Sequence, residues 1–126
     1  MSKLAESGAV SDRRVSLVFW PALVLVSFVL HFAWEYTQCA AYFVHLQGAA
    51  TIGAMLRTAL GDVALTAIAY GGTALVTLNP HWPLQRWTPR VWASLLALAL
   101  VLSVSVELRA LAMGWWRYTP RTPLLP

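Results

Sequence analysis

The chain is 126 residues long, 59% hydrophobic and only 11% charged, with a formal net charge of +4. A soluble domain is usually near a quarter charged, so this composition excludes a water-exposed globular fold and leaves one compact membrane unit. The positive charge marks no nucleic-acid surface, because the lysine and arginines punctuate the apolar runs instead of forming a patch.

Residues 1–14 read as a loose tail. The stretch Ser11-Asp12-Arg13-Arg14 echoes a twin-arginine signal. The apolar run behind it is too long for one, however, and Trp34-Glu35-Tyr36 stands where small residues would be cut, so an uncleaved anchor is expected. That first span covers about 15–36, enough for the ~20 residues a ~30 Å hydrocarbon core requires. Pro21 falls in its first two turns, where a missing amide does least harm.

A fairly apolar connection, 39–57, follows; it either lies along the membrane surface or starts the second helix early. The second span is expected at 58–78 and closes on Asn79-Pro80. The 79–90 loop carries Pro80, Pro83 and Pro89, with Trp82 and Trp87 expected at the interface. The third span is expected at 91–113. Small residues four apart, at Ala67/Gly71, Ala93/Ala97 and Ala99/Ser103, are candidates for close helix approach. The fold expected is thus an all-α bundle of three transmembrane helices over 15–118, followed by a short tail, 119–126. The single cysteine, Cys39, allows no intrachain disulfide and reads as an apolar filler.

Alternating spans place the end of the first, the start of the second and the end of the third in one leaflet. Glu35, Asp62 and Glu107 occupy those ends. At ~1.5 Å per residue, Asp62 and Glu107 lie roughly 6–9 Å below the boundary. A charge there costs on the order of 2.5–3.5 kcal/mol, so all three acids are expected to face protein or trapped water in a shared hollow. His31, Glu35 and Gln38 stack on one side of the first span. Thr58, Asp62, Thr66, Tyr70 and Thr73 trace a polar stripe on the second, and Ser103 precedes Glu107 by a turn on the third. Arg109 faces away from Glu107 and is free to meet Glu35 or Asp62, or to snorkel to headgroups. Trp34, Tyr36, Tyr42, Trp115, Trp116 and Tyr118 form an aromatic rim on the same leaflet.

Three uses of these residues stand open. The acids can fix helix register, or receive the head of a lipophilic ligand, in a protein that binds lipid, a second copy of itself or a membrane complex. They can also do acid/base chemistry on a lipophilic substrate, with Glu35 and Glu107 as the pair, Asp62 orienting and His31 shuttling protons. Intramembrane acids also mark ion pathways, which a three-span protomer would complete by oligomerising. Trp34, Gln38, Thr66, Tyr70, Arg109, Trp116 and Tyr118 are the expected ligand contacts. With one intramembrane histidine and no ExxH pair, neither a metal nor a cofactor is expected. The basic residues of the tail and the 79–90 loop favour a cytoplasmic N-terminus and an outward C-terminus.

Trp34-Glu35, Gly61-Asp62, and Glu107 ahead of Gly114-Trp115-Trp116-Arg117-Tyr118 and Thr122-Pro123 resemble the motifs of a group of small bacterial multi-pass membrane proteins of unassigned role. The resemblance spans about 31–123. Trp115 stands where that group has Arg, and Thr122 where it has Met. The resemblance implies a bacterial inner-membrane protein with these positions of interest, and leaves Arg117 or Arg109 to replace the missing arginine.

Overall fold

The computed structural model describes residues 2–45 and 51–122, with side chains from Leu17 onward except those of Cys39, Ala40 and His45. The filler role expected of Cys39 and the surface segment expected near 46–50 fall outside these. The architecture is all-α: α1 (Ser2–Tyr42), α2 (Ile52–Thr77) and α3 (Pro89–Ala112), with two three-residue strands, β1 (Phe43–His45) and β2 (Trp116–Tyr118). Each helix holds a stretch long and apolar enough to cross a membrane: Leu17–Gln38, Ile52–Thr77 and Pro89–Ala112, with mean hydropathies of 2.0, 1.4 and 2.1.

α1 is helical through residues 2–14, where a loose tail is expected. Seven of these thirteen residues are Ala, Leu, Lys, Glu or Arg, and extending a helix already nucleated by a long span costs little. Pro21 therefore lies in the helix interior, though still in the first two turns of the apolar stretch. α2 begins six residues before the expected position 58. The reason is Thr51, whose hydroxyl accepts from the Ala54 amide at 3.1 Å and caps the helix. α3 begins with the pairing of Thr88 as cap and Pro89 at the first helical position, where proline's fixed φ fits and its missing N–H goes unused.

α2 is the middle element and packs on both α1 and α3. Its buried residues, Met55, Ala59, Val63, Ala69 and Thr73, define the core line. Thr58, Thr66, Thr73 and Thr77 each return their hydroxyl to the carbonyl four residues back, which lets them sit in an apolar helix without an unmet donor. At Gly72 α2 lies tight against α3, since a Cβ there would meet Leu98 Cδ1 at 3.0 Å. Of the small residues in these pairs, Ala99 is half-buried, whereas Ala67, Ala93, Ala97 and Ser103 are exposed. Large exposed side chains such as Leu17, Leu25, Leu75, Leu100 and Val101 are what a lipid solvent requires.

The two ends of the bundle are closed differently. At the 79–90 loop, Trp82 is 1% exposed, so its ring is packed within the protein. Its Nε1 donates to the Tyr70 carbonyl at 3.2 Å, and its ring lies 5.0 Å from Tyr70 and 5.1 Å from Trp87, so the indole plugs this end. At the other end β1 and β2 pair antiparallel, Phe43 with Tyr118 and Val44 with Arg117. Past β2 the chain latches onto α1. The Thr119 amide and the Thr122 hydroxyl donate to the Tyr42 carbonyl at 2.9 and 2.7 Å, and the Thr119 hydroxyl donates to the Ala41 carbonyl at 2.9 Å. These bonds satisfy carbonyls that a helix end leaves without internal partners. The expected C-terminal tail is therefore a packed segment through Thr122.

Candidate functional site

The β1–β2 pairing joins the ends of α1 and α3, and polar residues from all three helices lie toward this end. His31 is held from two sides. Its Nε2 is 3.2 Å from Thr66 Oγ1, and its Nδ1 is 3.7 Å from Asp62 Oδ2. Because the Thr66 hydroxyl gives its hydrogen to the Asp62 carbonyl, its oxygen is left to accept, so His31 Nε2 is the donor. Nδ1 then faces the Asp62 carboxyl at 3.7 Å.

Behind this pair lies a small chamber of about 110 Å³, lined by His31, Asp62, Thr66 and Ser103 with Leu65, Ala69, Ala99 and Leu102. All three helices contribute to it. In front lies a more open groove of about 490 Å³ between α2 and the end of α3, lined by Arg57, Thr58, Gly61, Asp62, Leu65, Val106, Trp115 and Trp116. Asp62 and Leu65 belong to both and form the wall between them.

Glu107 is engaged separately. Its Oε1 accepts from Trp116 Nε1 at 3.3 Å and from the Tyr118 hydroxyl. Phe43 packs against both rings, with centroids 6.1 Å from Trp116 and 5.6 Å from Tyr118. The carboxylate thus fixes the indole that walls the groove. The bond to Glu107, followed by burial, pushes the Tyr118 phenol up to about 12.

Compared with protein-family models, curated proteins and solved structures, the chain matches none.

The expected single hollow is replaced by these two adjoining cavities, and Asp62 is the carboxyl that lines them. Glu35 is within electrostatic reach of Asp62 but lines neither, and Glu107 reaches the groove only through Trp116. His31, Asp62 and Thr66 are brought together; Glu107, Trp116 and Tyr118 form a second group beside them. Gln38 is partly exposed in the last turns of α1. Trp34 is 59% exposed and points away. Tyr70 is turned to the opposite end, against Trp82. Arg109 is exposed and forms no ion pair among the described residues; their one ion pair is His31–Asp62.

Arg57 and Trp115 enter the groove without having been singled out as site residues. The available signal was helical spacing: Arg57, Gly61 and Leu65 follow one another at four-residue steps, beside Thr58 and Asp62.

Proposed function

We propose that this protein is a small three-span membrane protein that binds the polar head of a lipophilic molecule in the groove between α2 and the end of α3. The observation that carries the reading is the groove's lining. Two indoles and two aliphatic side chains surround a small polar set, Arg57, Thr58 and Asp62, which is the usual make-up of a ligand site. Its place beside the ends of the membrane-crossing stretches is where an amphiphile in the bilayer presents its head. The motif resemblance supports a bacterial inner-membrane location, and the basic 79–90 loop supports a cytoplasmic N-terminus.

Gly61 offers a clean test. It lines the groove, and a Cβ there meets nothing within 4 Å, so a side chain added there starts from open space in the groove. Wild type purified in mild detergent is expected to retain a specific lipophilic molecule, identified by mass spectrometry. Gly61→Phe is expected to retain at least tenfold less at an unchanged melting temperature. Equal retention by the two proteins would overturn the reading.

A further inference from the structure

The groove is graded along α2. Arg57 lies nearest the helix start, and Asp62 lies about 7.5 Å further along the axis, at ~1.5 Å per residue. Leu65 comes next, with Val106 facing from α3. A ligand entering head-outward from the bilayer meets cation, carboxyl and hydrocarbon in that order from tip to tail.

The two charges are not equivalent. Arg57 is exposed and has no ion pair among the described residues. Asp62 faces His31 on its chamber side but accepts no side-chain hydrogen bond among the described residues. The Trp116 N–H is committed to Glu107, so this indole offers the groove its ring rather than a donor. An anion placed beside Asp62 is repelled and a cation placed beside Arg57 is repelled, so the order of the two protein charges fixes the order of the ligand's groups.

Resting on the reading above, we infer that the site selects an amphiphile with an anionic tip and a hydroxyl or amino donor a few atoms inward. Arg57 takes the anion, Asp62 accepts from the donor, and Leu65, Val106 and the indole faces take the start of the tail. A phosphate or carboxylate tip suits a guanidinium, which can bind it through two parallel hydrogen bonds.

The test uses the full chain in mild detergent and four probes read by native mass spectrometry. These are lysophosphatidate, its analogue lacking the glycerol hydroxyl, lysophosphatidylcholine of the same acyl chain, and glycerol 3-phosphate. Lysophosphatidate is expected to bind about tenfold tighter than lysophosphatidylcholine, the size of effect a charge-assisted hydrogen bond supports. Arg57→Gln is expected to erase that preference and Arg57→Lys to keep most of it. Removing the glycerol hydroxyl is expected to weaken binding to wild type but not to Asp62→Ala, which has no side-chain acceptor. Equal or tighter binding of lysophosphatidylcholine overturns the inference while leaving a lipid-binding groove, as does a hydroxyl whose removal wild type does not register. Glycerol 3-phosphate binding as tightly as lysophosphatidate overturns the amphiphile as the source of the anion. Failure of both lipids to bind saturably overturns the inference, and the proposed function falls as well if wild type and Gly61→Phe retain lipophilic molecules equally.

Discussion

Asp62 and Glu107 are the same chemical group in two different jobs. Glu107 takes two donors from β2 and holds a ring in place, whereas Asp62 keeps acceptor capacity between two cavities. The partner of Glu107 gives a measurable pH signature. Below pH 10 the Tyr118 phenol is protonated in both the folded and the unfolded chain, and the bond to Glu107 contributes fully. As pH rises from 10 to about 12, the unfolded chain gives up its proton first, so that contribution shrinks and is lost. The melting-temperature gap between wild type and Tyr118→Phe is therefore expected to be constant up to pH 10 and to close toward pH 12. A gap that stays open through pH 12 would show that the phenol is not held by the carboxylate.

Element by element, the helices follow from local chemistry that the sequence displays. Thr88-Pro89 announces α3, and Asn79-Pro80 announces the end of α2. Thr51 announces its start as well, but residues 52–57 read equally as a surface segment or an early start of the second helix. The plug formed by Trp82 was not legible. Indoles near span ends read as interface anchors, and only the fold brings the Tyr70 carbonyl within reach of this one. α2 ends on Leu78, a residue in the left-handed region with φ of 54°, a position helices usually give to glycine. Leu78 is 87% exposed, so little packing is lost on truncation. Leu78→Gly is expected to raise stability by about 1 kcal/mol, read as a rise in melting temperature. A fall would mean that the side chain contributes more against lipid than the backbone strain costs.

At the scale of the whole molecule, three alternating spans were enough to bring His31, Asp62 and Thr66 to one end with Glu35 and Glu107 nearby. What the spacing could not supply was the final segment. Which rings of Trp115-Trp116-Arg117-Tyr118 meet Glu107 depends on the register of β2, and that register is set by pairing with β1, far away in sequence. Arg109 shows the same limit. Its distance from Glu107 was readable, but its lack of an ion pair among the described residues was not. The shared end can be tested by cross-linking. Val44 and Arg117 are directly opposite in the strand pair, and opposed antiparallel residues have Cα atoms close enough for a disulfide. With Cys39→Ala as background, Val44→Cys together with Arg117→Cys is expected to cross-link within one chain under mild oxidation. A mobility shift reversed by reductant would report it. Failure to cross-link, or cross-linking only between chains, would separate the ends of α1 and α3.

The latch of Thr119 and Thr122 on Ala41 and Tyr42 closes across 78 and 80 positions of sequence. During synthesis at ~5–20 residues per second, the first helix would wait roughly 4–16 s with its terminal carbonyls bare. Only a chain that has been translated through Thr122 can seal that helix and seat the indole over the groove. A ribosome that stops a dozen codons short would thus leave a product able to enter the bilayer but marked, by its frayed first helix and missing wall, as unfinished.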